Sequence, residues 1–132
     1  MSIVSCPDTL ELAYGPVTAV SLALFAAASG DHNPLHLDAD VANAAGFDRP
    51  VVHGMFSMAC AGRLFSAHFG AGSVRTLTAR FTGIAKRGDS LLFAARLGSR
   101  DATSATYTLR CCTELGDEVL TGSACVALSS VR

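Results

Sequence analysis

The stretch Gly54–Phe69, which reads GMFSMACAGRLFSAHF, decides the fold of this chain. Its apolar residues recur with helical spacing and extend nearly all round the helix, which is typical of a helix buried on most sides. Gly70 and Gly72 follow directly and are expected to end it. A buried helix of this length indicates the centre of a small domain.

The sequence after this helix alternates between apolar and polar residues with a period of two, which predicts strands. Pairs such as Gly88-Asp89 and Gly116-Asp117 supply turns between the runs. One apolar helix followed by a meander predicts an α+β domain in which a curved antiparallel sheet wraps around the helix. The predicted strands lie within 77–84, 91–97, 105–111 and 120–128.

Two further helices are predicted before the central one. Thr18 is a suitable N-cap for a helix over 19–28, and Gly30 is a natural C-terminal cap. Val20, Leu24 and Ala27 share one face of this helix, and Leu22 and Phe25 widen that face. A second, short helix is predicted over 39–45, with Asp38 as its cap.

Length and composition exclude several classes of protein. The 132 residues fit a single domain over 1–132, and half of them are apolar, as a buried core requires. Ten Lys and Arg against eleven Asp and Glu give a charge of -1, which argues against nucleic-acid binding. The longest apolar helical stretch is too short to cross a membrane. The first ten residues do not resemble a secretory signal, and five cysteines without C-x-x-C spacing predict neither disulfides nor a zinc site, so we expect a cytoplasmic protein.

The residues that carry chemistry lie between the first and second helices. Asp31 and His36 sit on a loop stiffened by Pro34, where a carboxylate and an imidazole that grip one water would form an acid/base pair. The alternative interpretation is a solvated loop in which Asp31 has a structural role. Gly54 begins the central helix, where free N–H groups and the helix dipole can polarise an oxygen. Together these residues predict proton transfer next to a carbonyl.

Other kinds of site are disfavoured by the same residues. His32 and His36 have i, i+4 spacing, but Pro34 between them disfavours a continuous helix face for zinc. A calcium loop beginning at Asp31 would require Gly and Glu at later positions that the chain lacks. We therefore predict no metal. His53 is expected to pack or hydrogen-bond at the entry to the helix rather than to take protons.

Two motifs surround these residues: Ser29-Gly-Asp-His-Asn-Pro-Leu-His-Leu-Asp38 and Phe47-Asp-Arg-Pro-Val-Val-His-Gly-Met55. Both resemble motifs of the MaoC-like family, specifically of its (R)-specific enoyl-CoA hydratases and (3R)-hydroxyacyl-thioester dehydratases. The resemblance implies a hot-dog fold, a homodimer whose sheets join edge to edge, and an enzyme without a cofactor. The chain departs from the family pattern at Gly62, where some members carry Ser; this chain has Ser57 one turn earlier.

The resemblance also implies roles for individual residues. Asp31 and His36 would be the catalytic pair and the Gly54 N–H would bind the thioester oxygen, while Asn33 would fix the loop. We place Asn33, His53 and Ser57 together as the substrate-binding residues. The implied reaction is (R)-specific hydration of trans-2-enoyl thioesters of CoA or acyl carrier protein to (3R)-3-hydroxyacyl thioesters, and its reverse, in a setting such as fatty-acid metabolism.

Two alternatives remain open at this point. One is a catalytic or non-catalytic subunit of a heteromeric hydroxyacyl-thioester dehydratase. The other is a hot-dog thioesterase, which the absence of Asp and Glu from 54–69 disfavours. Lys86 and Arg87 precede the Gly88-Asp89 turn. They either belong to a solvated turn or contact a phosphate of the substrate.

Overall fold

A computed structural model describes residues 5–128. Along these residues one strand is followed by three helices and a 3-10 turn, and then by four strands. The elements are β1 (Thr9–Tyr14), α1 (Ala19–Ser29), a 3-10 turn (Pro34–His36), α2 (Ala39–Ala44), α3 (Gly54–Phe69), β2 (Val74–Phe81), β3 (Leu91–Arg100), β4 (Ser104–Thr113) and β5 (Glu118–Ala127).

The strands form one antiparallel sheet in the order β1-β3-β4-β5-β2. The sequence predicted β2 to β5 but not β1, so the expectation of four strands was wrong. Strand β1 pairs with β3, with Leu10 opposite Ala95 and Leu12 opposite Phe93. Leu10 is buried, whereas Glu11 and Ala13 are exposed. This alternation is the signal that could have revealed β1, although it spans only a few residues.

Helix α3 has the predicted bounds and packs one face against the sheet. The buried residues of this face include Phe56, Cys60 and Phe65, and the Phe65 ring lies 5.7 Å from that of Tyr107 in β4. The opposite face, with Met55 and Ala59, is exposed. The expectation of a helix buried on most sides was therefore wrong, because the five strands cover only one side of it.

Helix α1 has the predicted caps but buries only part of the predicted apolar face. The Thr18 side chain accepts from the Ser21 N–H, and Gly30 closes the helix in the left-handed conformation. The buried residues are Leu22 and Ala26. Val20 and Leu24 are about two-thirds exposed, at 67% and 66%, so the centre of the predicted apolar face points away from the core, whereas Leu22 and Phe25 at its edge meet the core. None of the helices within residues 5–128 is long and apolar enough to span a membrane.

Candidate active site

The loop after α1 is shaped by short hydrogen bonds from side chains to the main chain. Asp31 Oδ1 accepts from the Asn33 N–H at 3.3 Å, and Asn33 Oδ1 accepts from the Leu35 N–H at 3.0 Å. Pro34 begins the 3-10 turn that carries His36. Asn33 thus stabilises the loop through its own side chain, as Asx residues do in tight turns.

The Asp31 and His36 side chains converge. His36 Nε2 lies 3.6 Å from Asp31 Oδ2, with the His36 side chain 12% exposed and the Asp31 side chain 50% exposed. On the other side of the ring, His36 Nδ1 lies 2.7 Å from the carbonyl oxygen of Val51. A carbonyl oxygen only accepts hydrogen bonds, so Nδ1 carries the proton and the lone pair of neutral His36 is on Nε2, facing Asp31.

His53 lies directly beneath this pair. Its ring stacks on His36, with centroids 3.8 Å apart and planes at 21°, and meets the Phe25 ring edge-on at 4.9 Å. His53 Nε2 lies 3.2 Å from the carbonyl oxygen of Asp31. His53 is only 1% exposed, and burial lowers the pKa of its imidazole.

The amino terminus of α3 completes the candidate site. The His53 carbonyl accepts from the Phe56 and Ser57 N–H groups at 3.0 and 3.3 Å. The Gly54 N–H donates to no acceptor within residues 5–128, as is usual for the first turn of a helix. Ser57 is buried one turn further along. Helix α3 thus presents a free donor next to the residue that supports His36.

A set of hydrogen bonds and ion pairs, here called the tether, joins Asp48 and Arg49 to residues 86–89 in the turn before β3. The sequence did not predict it. Arg49 Nη1 donates to the Arg87 carbonyl at 2.9 Å and lies 3.4 Å from Asp89 Oδ1. Asp89 Oδ2 accepts from the Lys86 N–H at 2.9 Å. Lys86 Nζ is bonded to Asp48 Oδ1 at 2.6 Å. The Lys86 side chain and the Arg87 carbonyl therefore take part in structural contacts.

Asp31, His36 and His53 also satisfy the distance criterion for a metal site, since one possible ligand atom of each lies within 4.8 Å of the others. Two of the four imidazole nitrogens face carbonyl oxygens, and His53 Nδ1 is buried. Protein zinc sites normally supply three or four accessible ligand atoms. The arrangement is better suited to proton transfer than to metal binding, and the expectation of no metal stays a prediction.

A groove of about 820 Å³ lies elsewhere, across the outer face of the sheet. It is lined by residues of all five strands, including Arg80, Arg96 and Arg110. None of the predicted site residues lines it. The chemistry-bearing residues are instead gathered between the loop after α1 and the start of α3.

Comparison with known proteins identifies the family. The family model described as the MaoC like domain matches residues 8–109. The chain belongs to the MaoC-like family. The (R)-specific enoyl-CoA hydratase of Aeromonas caviae is 36% identical over 117 residues, which cover 83% of this MaoC-like chain and 85% of that protein. The family resemblance inferred from the two motifs is therefore confirmed.

Solved MaoC-like structures share the whole fold. The (R)-hydratase from A. caviae involved in PHA biosynthesis superposes with a TM-score of 0.84 at 30% identity, covering 98% of both chains. An unliganded R-hydratase from Pseudomonas aeruginosa gives 0.80 at 28% identity, covering 99% of this chain and 84% of that one. The predicted α+β hot-dog fold is confirmed.

Other relatives are much longer proteins. The peroxisomal hydratase-dehydrogenase-epimerase of Saccharomyces cerevisiae is 36% identical over 63 residues, 48% of this chain but only 7% of that protein. Curated relatives are named as enoyl-CoA hydratases and as a 3-hydroxyacyl-thioester dehydratase, so the prediction of a hydro-lyase is confirmed at the level of the family.

Proposed function

We propose that this chain is an (R)-specific enoyl-thioester hydratase, which adds water to trans-2-enoyl-CoA and catalyses the reverse dehydration. The identity to the A. caviae hydratase supports this assignment. One observation carries it: the lone pair of His36 Nε2 faces Asp31 Oδ2 at 3.6 Å. When His36 is neutral and Asp31 ionised, both atoms are acceptors, so they are suited to receive the two hydrogens of one water.

The proposed reaction uses that water as the nucleophile. Its oxygen bonds to the β-carbon of the enoyl thioester while Asp31 and His36 take one of its protons. The electron pair of the double bond shifts toward the thioester, and negative charge collects on the carbonyl oxygen. The pair then returns a proton to the α-carbon, which leaves a (3R)-3-hydroxyacyl thioester and an unchanged enzyme.

The Gly54 N–H is proposed to stabilise the charge on the thioester oxygen. It has no acceptor within the described chain, and the dipole of α3 adds positive potential at this end. A donor aimed at a developing oxyanion contributes about 3–4 kcal/mol to stabilisation of the transition state in comparable sites. Asn33 and Ser57 stay predicted substrate-binding residues.

Apolar side chains around the start of α3 are suited to contact the acyl chain. Met55, Phe81 and Ile84 are 58%, 47% and 52% exposed, and exposed large apolar residues that lie together are typical of binding sites. We propose that they contact the acyl group of the substrate. Either CoA or an acyl carrier protein is proposed as its carrier.

The proposed assembly is a homodimer that joins sheet to sheet. Strands β1 and β2 are the two edges, and on their outer sides they pair with no other strand of the described chain. Unpaired strand edges are templates for association. Light scattering on the purified protein should give twice the monomer mass, whereas a monomer that gains activity only with a second protein would support the heteromeric alternative.

We also propose that residues 1–132 act as one domain and that the protein works in the cytoplasm. All five cysteines are free thiols, as expected in a reducing compartment. Burial raises the pKa of Cys111 to about 12 and raises that of Cys60 as well. These thiols are therefore poor nucleophiles, which supports non-covalent acid/base chemistry.

The test is hydration of crotonyl-CoA, followed as loss of the enoyl-thioester absorbance, with the product analysed on a chiral column. Asp31→Asn and His36→Ala should each lower kcat by about 10²–10⁴-fold, the usual contribution of general acid–base catalysis. His32→Ala is the matched control, because His32 is an exposed imidazole on the same loop.

Three results would contradict the proposal. They are full turnover by either the Asp31 or the His36 variant, an (S)-product, and release of free CoA without hydration. The last of these would instead support the thioesterase alternative. Circular dichroism of each variant shows whether the fold is retained, so that loss of activity is not confused with loss of structure.

A further inference from the structure

His53 occupies an unusual position for a polar side chain. It is the N-cap residue of α3, yet its side chain makes no capping hydrogen bond. Instead the ring is buried between Phe25 and His36. A buried imidazole in contact with a reacting imidazole requires a physical explanation.

The hydrogen-bond partners define the state of the ring. Nε2 faces the Asp31 carbonyl oxygen, which can only accept, so Nε2 carries the proton. Nδ1 is buried and has no partner within residues 5–128. Protonation of Nδ1 would create a buried donor without an acceptor, which is costly. The geometry therefore favours the neutral imidazole with its proton on Nε2.

His53 also contacts both of the proposed reacting residues. Its Nε2–H holds the main chain of Asp31, and its flat face supports the ring of His36. The ionisable groups that face it are Asp31, from the loop after α1, and His36, from the 3-10 turn, while α1 contributes the uncharged Phe25 ring. Through one side chain, the position of the carboxylate is coupled to that of the catalytic imidazole.

We propose that His53 is a positioning residue, a constantly neutral imidazole that sets the distance between Asp31 and His36 without itself touching the substrate. This inference rests on the proposed function and replaces substrate binding as the role of His53. A neutral ring is suited to this place, because His36 becomes cationic when it takes a proton and a charged neighbour stacked on it would repel that cation.

Variants at position 53 separate the hydrogen bond to the Asp31 carbonyl from the stacking on His36. His53→Gln keeps an N–H donor of similar reach, His53→Asn is too short to reach the Asp31 carbonyl, and His53→Phe keeps a flat ring without a donor. Displacement of a reacting group by about 1 Å typically costs about 10²-fold in rate. We expect kcat to fall by about that factor in the Asn and Phe variants, whereas kcat of the Gln variant should stay within about tenfold of the wild-type value. In all three variants KM should change less than kcat.

The control for general loss of packing is Phe25→Leu, which thins the contact on the other side of the His53 ring. It should lower thermal stability while keeping kcat close to that of the wild type. A Gln variant as slow as Phe, an Asn variant as fast as the wild type, or a rise in KM alone would each overturn the proposal. The last result would favour direct contact with the substrate.

A measurement without substrate distinguishes failure of this inference from failure of the proposed function. Nitrogen-15 NMR of the four histidines reports which ring nitrogen is protonated. His53 should stay in the Nε2–H form through mildly acidic pH. His36 should be a single Nδ1–H tautomer in the wild type and the Gln variant, but a mixture in the Asn variant. The same His36 tautomer in all three proteins, or a cationic His53, would overturn the inference even if crotonyl-CoA is hydrated. The predicted pattern in a protein that does not hydrate crotonyl-CoA would reject the proposed function alone.

Discussion

Phe81 of β2 covers Gly54, the first residue of α3. A Cβ atom placed on Gly54 would lie 3.2 Å from Phe81 Cε1, closer than carbon atoms normally pack. The glycine therefore lets an aromatic ring from an edge strand approach the free N–H at the start of the helix. This contact joins an apolar wall to a hydrogen-bond donor at the place where a thioester would bind.

Replacement of Gly54 by proline should remove the donor and keep the helix. Proline is favoured at the first position of a helix, and His53 already has the extended backbone that a residue before proline requires, with ψ at 134°. We expect kcat on crotonyl-CoA to fall by about 10²–10³-fold in Gly54→Pro, the usual cost of losing one oxyanion donor.

Gly54→Ala is the matched control for this variant, because it also places a Cβ atom against Phe81 but retains the N–H. Its kcat should lie well above that of the proline variant. Equal activity of the two variants would show that crowding by Phe81, and not the N–H, explains the loss.

The buried His53 should make the folded protein less stable in mild acid. Its pKa is lowered from the ordinary value of 6.5, chiefly by burial, which outweighs the raising effect of the hydrogen bond to the Asp31 carbonyl; the nearby His36 lowers it further. Below that ordinary value the unfolded chain takes up a proton that the folded chain resists. The free energy of unfolding should then fall as the pH drops toward 5, by at most about 1.4 kcal/mol per pH unit for one proton.

Urea unfolding of the wild type and His53→Gln at several pH values between 5 and 7.5 measures this effect. The variant should show the shallower dependence on pH, since the other three histidines are common to both proteins. A steeper or equal slope in the variant would contradict a neutral, buried His53.

Asp89 should matter more for stability than its neighbour Asp48. Asp89 is 8% exposed and accepts from the Lys86 N–H while contacting Arg49. Asp89→Ala leaves the Lys86 N–H without its acceptor and removes the carboxylate that faces Arg49, and we expect the free energy of unfolding to fall by about 1–3 kcal/mol. Asp48→Ala removes an exposed carboxylate that pairs with Lys86, and surface pairs contribute little. Urea unfolding of both variants decides the order, and an equal loss would refute the structural role of the tether.

Gly30 fixes the direction in which the chain leaves α1 toward Asp31. Its φ of 79° is in the left-handed region, where a side chain is strained. Gly30→Ala should therefore lower the free energy of unfolding by about 1–2 kcal/mol. Gly30→Asn should cost less, because asparagine tolerates this conformation. Thermal unfolding of the two variants measures the difference, and an alanine variant as stable as the wild type would contradict it.

The sequence predicted well wherever local chemistry dominates. The bounds of α3, the caps Thr18 and Gly30 and four of the five strands depend on periodicity and on residue types that act within one turn. The convergence of Asp31 and His36 was also predicted from a proline-stiffened loop and the family motif, and the atoms lie 3.6 Å apart. Their catalytic roles stay predictions.

Features that depend on tertiary packing were not predicted. Strand β1 is short, and its pairing with β3 brings together segments about 80 residues apart. The buried face of α1 depends on what lies beside the helix, since Val20 and Leu22 are equally apolar and only Leu22 meets the core. The stacking of His53 on His36 likewise joins two segments whose contact no local pattern encodes.

The main chain of residues 50–52 is bonded to that of residues 85–87. The Val52 N–H donates to the Ala85 carbonyl at 2.9 Å, and the Arg87 N–H to the Pro50 carbonyl at 2.8 Å. Two irregular loops are thereby held in register like paired strands. A single inserted residue in either would put the two out of step and move His53 away from its neighbours. Most surface loops tolerate insertions and deletions, but the lengths of these two loops are therefore constrained as strictly as the identities of the site residues.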